Sequence, residues 1–241
     1  MKAFRSTADD YYDNPMDDYP LPTRIFYDVV IWVLFLFSKA MWRWNMEHPE
    51  PLQRTGEKGS VVISNHTSMA EVITIVCHIR RSGGRVRPIM KSEFNKNALV
   101  KWFFARVGGI PVERGTADMT ALRRAQHALQ RGEHVLIFPE GTRIRTDDQP
   151  VTVHGGFAII AQMAKADIIP MAVCGFRDIT KNGSHLMRPI KTWMRCGDPL
   201  SLTDAPADLK RKERLQWVED EALRRMYAIR DAMRAEHPGR R

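Results

Sequence analysis

The stretch Val61-Val62-Ile63-Ser64-Asn65-His66-Thr67-Ser68-Met69-Ala70-Glu71 decides the fold. Its first four residues suit a strand buried on both faces, and a helical apolar pattern begins at Met69. Asn65, Thr67 and Ser68 then occupy a turn at a helix N-terminus, where short polar side chains cap free N–H groups. Capping does not account for His66 and Glu71 as a pair. On one continuous helix five residues set side chains about 140° apart, so the two meet only if His66 lies in the turn and folds back. A carboxylate in that position fixes the imidazole tautomer and leaves the other ring nitrogen free as a base. The plainer alternative is a capping histidine beside a solvated glutamate.

The strand-to-helix pattern repeats along the chain. Apolar runs suited to strands at 60–64, 86–90, 110–113, 134–138 and 168–173 alternate with helical patterns at 69–81, 97–107, 117–131 and 156–165. This alternation predicts an α/β fold, a largely parallel central sheet flanked by helices, over residues 48–241. The 117–131 helix has Thr116 or Asp118 to cap it, a stripe of Leu122, Ala125 and Leu129, and Gly132 to end it. A further strand is expected at 186–194. A charged helix follows at 207–234, with Leu209, Trp217, Leu223, Met226 and Ile229 as its packing stripe.

Ahead of this domain, residues 1–23 contain Pro15, Pro20 and Pro22 and no apolar run, so they read as a flexible acidic leader and not a signal peptide. Residues 24–47 read as an apolar, membrane-associating helix capped by Thr23. Its uninterrupted apolar core, 29–37, spans only about 14 Å at 1.5 Å per residue, short of a hydrocarbon layer of about 30 Å. Asp28, Lys39 and Arg43 flank the core, with Trp32, Trp42 and Trp44 nearby. That mixture suits a helix dipping into one leaflet, ahead of a tilted span or a buried core helix. The expected location is the cytoplasmic face of the cell membrane, peripheral or monotopic.

The 241 residues carry a net charge of +9. The leader sets two cations against five aspartates, so the remainder is distinctly basic and favours anionic partners: a membrane surface, a phosphorylated substrate or nucleic acid. The aromatic RNA-binding consensus and zinc-finger spacing are missing, which disfavours nucleic acid. Cys77, Cys174 and Cys196 are odd in number and far apart, which fits a reducing compartment. They and the eight histidines lack metal-ligand spacing, so no metal site is expected.

Two further segments carry chemistry. In Phe138-Pro139-Glu140-Gly141-Thr142-Arg143 an apolar strand stops at proline, and glycine permits a tight turn projecting a carboxylate, a hydroxyl and a guanidinium. Gly108-Gly109-Ile110-Pro111-Val112-Glu113-Arg114 also ends in a basic side chain. Two guanidinium groups that converge provide bidentate donors for a phosphate. With Ile169-Pro170-Met171, these segments and the opening stretch follow in the order and spacing of four sequence blocks, and so the chain resembles the glycerolipid acyltransferase family over residues 60–173.

The resemblance implies transfer of a fatty acyl group from acyl-CoA or acyl carrier protein to the hydroxyl of a lysophospholipid, foremost 1-acylglycerol-3-phosphate. Such a transfer requires no bound cofactor. It assigns His66 as general base and Glu71 as its acidic partner. Arg114, Glu140, Gly141, Thr142 and Arg143 become binders of the phosphorylated acceptor, with Lys91 a further basic position and Pro170 on the acyl-donor side. Where the family has aspartate this chain has Glu71, and the extra methylene is expected to loosen the pair. Other readings are another acceptor (glycerol phosphate, a different lysophospholipid or a glycolipid), Ser68 as a nucleophile activated by His66, or a non-catalytic lipid binder.

Overall fold

Seven strands form one sheet in the order β1-β7-β6-β2-β5-β3-β4. The computed structural model describes residues 4–53, 58–113, 115, 118–180 and 186–238. In chain order, α1 (Ala8–Asp13) and α2 (Leu21–Trp42) lead to β1 (Asn45–Glu47) and β2 (Val61–Ser64), then α3 (Met69–Arg81) and β3 (Val86–Lys91). After these come α4 (Ala98–Arg106), β4 (Ile110–Val112), α5 (Met119–Gln130), β5 (His134–Ile137) and α6 (Gly156–Ala164). The chain closes with β6 (Ile168–Cys174), β7 (Trp193–Cys196) and α7 (Arg211–Glu236). Every neighbouring pair is parallel except β6 with β7, which places an antiparallel turn-back near one edge.

The central strand β2 is buried along its whole length. Period-two alternation sends Val62 into the core beneath α2 and α3, and Val61 and Ile63 into the core beneath α5, α6 and α7. Strand β5 divides in the same way, Leu136 to the first core and Val135 to the second. Sheet and helices thus form three layers, and the near-continuous apolar strands are what a sheet covered on both faces requires. α5 is capped by Asp118, which accepts from the N–H groups of Thr120 and Ala121, while Thr116 lies outside the described residues.

Four expectations need correction. The acidic leader is packed, not flexible: Tyr11, Tyr12, Met16 and Tyr19 are buried, and Arg87 fastens them. Its guanidinium is 1% exposed, pairs with Glu133 at 2.6 Å and donates to the carbonyls of Tyr11, Tyr12 and Asn14. The apolar helix starts at Leu21, so Thr23 lies inside it, where its hydroxyl meets that of Tyr11 at 3.1 Å. Residues 45–47, assigned to that helix, form edge strand β1 against β7. The strand expected at 186–194 begins only at Trp193, with Leu186 and Met187 exposed. The expected α7 stripe does pack: Met226 is buried and Trp217, Leu223 and Ile229 are partly buried against the cores, joined by Val218, Ala222 and Met233, while Leu209 precedes the helix.

Candidate active site

Strand β2 leads to α3 on one face of the sheet, and its neighbour β5 leads to α6 on the other. Adjacent strands whose connections diverge leave a crevice at their carboxyl ends, where open α/β sheets bind ligands. His66 lies in the turn after β2, and Glu140 in the loop after β5. Asn65 fixes the approach to this turn: its side-chain amide donates to the Val173 carbonyl at 3.2 Å and accepts from the Val173 N–H at 2.9 Å. The side chain thereby extends the β2–β6 pairing beyond the last strand residue.

Ser68 is the N-cap of α3 and Glu71 completes a capping box with it. Glu71 is fully buried, and both its oxygens are engaged. Oε1 lies 2.5 Å from His66 Nδ1 and accepts the Thr67 N–H at 2.6 Å, while Oε2 accepts the Thr67 hydroxyl at 2.9 Å and the Ser68 N–H at 3.0 Å. Burial pushes the Glu71 carboxyl above the usual carboxylate range, and the His66 and Thr67 contacts oppose that shift. The loosened pair expected from the longer side chain is not what forms. The added methylene lets one carboxylate cap the helix and reach the imidazole together.

The His66 ring stacks on Phe138, centroids 4.3 Å apart. With Nδ1 held by Glu71, Nε2 makes no hydrogen bond among the described residues. His66 lines a cavity of about 520 Å³ whose walls include Met90, Leu122, Phe138, Phe157, Ile159 and Ile160. A tethered imidazole in the wall of a largely apolar cavity can take a proton from a hydroxyl placed there.

The other expected site residues are dispersed. Glu140 is buried and both its oxygens face protein groups, Oε2 accepting the His66 N–H at 2.8 Å and Oε1 the Tyr227 hydroxyl at 3.2 Å. Burial raises its pKa, and its two contacts tie the loop after β5 to the His66 turn and to α7. Gly141 lines the cavity at φ +60°, where a Cβ would lie 2.9 Å from the His154 ring. Thr142 and Arg143 are exposed and are not among the cavity's lining residues. Lys91 is exposed at the end of β3, level with Val112 of β4. Arg114 lies outside the described residues.

Sequence reasoning missed Phe138 and Tyr227. Phe138 sits within a quoted motif but reads as ordinary strand; Tyr227 comes from α7, with no local signal. Ser68 makes no hydrogen bond with His66; its hydroxyl accepts the Ala70 N–H at 3.2 Å, which leaves a nucleophilic serine unsupported. Glu47, Glu236 and His237 offer ligand atoms within 4.8 Å of one another. The Arg195 guanidinium already bridges both carboxylates, so a protein cation answers their charge.

A family model described as Acyltransferase matches residues 43–174. The 1-acyl-sn-glycerol-3-phosphate acyltransferase of Bacillus subtilis (strain 168) is 31% identical over 159 residues, covering 66% of this chain and 75% of that protein. The lyso-ornithine lipid O-acyltransferase of Pseudomonas aeruginosa is 28% identical over 120 residues, 48% of this chain and 43% of its own. The crystal structure of the 1-acyl-sn-glycerophosphate (LPA) acyltransferase PlsC from Thermotoga maritima superposes with a TM-score of 0.61 at 21% identity, covering 84% of this chain and 80% of that one, and shows a shared fold.

Proposed function

The chain belongs to the acyltransferase family, and we propose that it acylates the free hydroxyl of a lysophospholipid, with 1-acylglycerol-3-phosphate as acceptor and phosphatidic acid as product. The observation that carries this reading is His66 in the wall of a largely apolar cavity, its Nδ1 tied to buried Glu71. His66 Nε2 removes the hydroxyl proton as the oxygen attacks the thioester carbonyl carbon. The tetrahedral intermediate then expels the thiolate, breaking the C–S bond, and the imidazolium returns the proton to sulfur. Glu71 orients the ring and stabilises its charged form. The acyl chain lies in the apolar cavity. Lys91, at the end of β3, and Arg143, in the loop after β5, serve the acceptor phosphate, with Arg114 joining them on the strength of its motif alone.

The Pseudomonas relative supports a second acceptor class, a lyso-ornithine lipid. Purified protein given acyl-CoA and a panel of lysophosphatidate, glycerol 3-phosphate, other lysophospholipids and lyso-ornithine lipid separates these readings by product mass spectrometry. Preference for lysophosphatidate is expected; preference for the aminolipid rejects the assignment of acceptor, and no turnover of any acceptor rejects the enzyme reading.

The reading includes attachment to one leaflet through α2. Among the described residues α2 is the one helix long and apolar enough to cross a membrane, and its 22 residues span about 33 Å. Its inner face, however, packs on the body through Tyr27 and Ile31, and Asp28 pairs with Arg80 of α3 at 2.8 Å. Ile25, Val29, Trp32, Val33 and Leu36 are exposed on it, and Phe26 joins it to the exposed Trp102 of α4, ring centroids 5.3 Å apart. A helix apolar on one side and docked on the other lies in the interface. Trp32→Glu with Leu36→Glu is expected to abolish co-sedimentation with anionic vesicles; undiminished pelleting excludes this face as the anchor.

A further inference from the structure

On the opposite side of the His66 turn from the apolar cavity lies a second depression that no family motif accounts for. Strand β6 ends there, and its walls come from the β6–β7 connection and the end of α7. One part, about 280 Å³, is lined by Thr67, Arg177 and Arg234; an adjoining part, about 480 Å³, by Arg43, Arg188 and Lys191. Gly175, Asp178 and Pro238 line both, so the two parts form one groove. Among the described residues its wall carries five cationic side chains against the single carboxylate of Asp178. From the side, Asp147 pairs with Arg177 at 2.9 Å and more distantly with Arg234 at 3.6 Å. Arg188 donates to the Asp178 main-chain carbonyl, a contact that does not neutralise its charge, and no carboxylate pairs with it among the described residues. Burial and the neighbouring Arg230 and Arg177 hold the Arg234 pKa below its ordinary value, and Asp147 and Asp231 offset that shift only in part.

The groove reaches the reaction centre through Thr67, whose hydroxyl bonds to Glu71. Its far part contains Trp193, with His237 stacked on one face at 4.2 Å, an aromatic wall of the kind on which nucleobases stack. The proposed reaction joins two substrates at His66, and both bear phosphate. Lys91, the cation at the end of β3, lies on one side of β2, and this groove on the other. Dispersed guanidinium and ammonium groups beside an aromatic ring match a ligand with several phosphates and a base, and exceed what one headgroup phosphate needs.

We propose that the groove bounded by Arg43, Arg177, Arg188, Lys191 and Arg234 binds the phosphorylated nucleotide handle of a coenzyme A thioester, with the pantetheine arm passing Thr67 to reach His66. This rests on the acyltransferase reading above and adds the donor's identity and place.

The test uses the full chain in detergent micelles, with variants Lys191→Glu, Arg177→Gln and Arg234→Gln. Lys191 is exposed and its contact is with the Trp193 ring, so its reversal leaves packing intact. For each variant, KM is measured for acyl-CoA and for lysophosphatidate, and binding of adenosine 3′,5′-bisphosphate is followed by calorimetry. The expected result is a KM for acyl-CoA raised tenfold or more, an acceptor KM within twofold, kcat little changed, and weakened bisphosphate binding. An unmoved acyl-CoA KM overturns the proposal. So does a rise in the acceptor KM alone, which gives the groove to the acceptor, or loss of binding to phosphatidylglycerol vesicles with unchanged kinetics, which makes it a lipid-headgroup site. Should the wild type turn over no substrate pair, the acyltransferase reading fails, while calorimetry still decides this one: bisphosphate binding lost in the variants upholds the groove, and none in the wild type overturns it.

Discussion

Glu71→Gln removes a charge and one acceptor while keeping size, and its cost follows from the four contacts of the carboxylate. Two of the donors are the Thr67 and Ser68 backbone N–H groups, one on each oxygen. Whichever way the amide is oriented, its NH₂ faces one of those donors and leaves it unsatisfied in a buried site. An orphaned buried donor costs about 1–3 kcal/mol, and at this chain length each kcal/mol lowers Tm by about 2–4 °C, giving a fall of about 2–12 °C. If the amide nitrogen turns to His66 Nδ1, the tautomer reverses and Nε2 carries the proton it should accept. If the oxygen remains there, the imidazolium loses its counter-charge. Either outcome predicts a kcat lowered by about 10²–10⁴. Thermal melting and initial rates at saturating acyl-CoA measure the two effects on one preparation. A variant that melts with the wild type and turns over within about threefold of it refutes the dual role assigned to Glu71.

Two further expectations concern the scaffold. Arg87→Met leaves Glu133 buried without its cation and frees three leader carbonyls, a loss of about 3–5 kcal/mol. Denaturant unfolding should show it, together with new proteolysis within residues 4–20; an unchanged midpoint contradicts the described packing of the leader. On α7, hydrogen bonds and ion pairs with Arg224 and Arg225 hold Glu221 down to about 2, below its unfolded value of 4.5. Its stabilisation is complete above about pH 4.5 and is lost as pH falls through about 2. The Tm difference between wild type and Glu221→Gln should therefore be constant near neutrality and vanish toward pH 2; a difference that widens on acidification reverses the assigned sign.

The core layers were legible because their signal is local and periodic. Val61 to Ser64 could be read as a doubly buried strand, and Met69 onward as its helix, from a dozen residues. The His66–Glu71 pair was legible for the same reason: both partners belong to one turn and its first helical turn. Tertiary pairing was invisible. β1 and β7 are short, and each is defined by its partner, so 45–47 looked like the tail of an apolar helix and the strand in the 186–194 segment was placed too early. The leader's tyrosines gave no warning of burial because Arg87, which satisfies their carbonyls, lies some 75 residues away in sequence. Glu140 carried a motif's expected role, and only coordinates reveal that its oxygens serve the His66 N–H and Tyr227.

The proposed acyl transfer depends on the unprotonated nitrogen of His66 accepting a hydroxyl proton. The most direct measurement is the single-turnover rate of acyl transfer from labelled acyl-CoA to lysophosphatidate by wild type and His66→Asn, at enzyme concentrations saturating for both substrates and with matched melting curves. A loss of about 10²–10⁴ in the chemical step is predicted. Equal rates in two equally folded proteins would contradict it and return His66 to the capping role with which its sequence is also compatible.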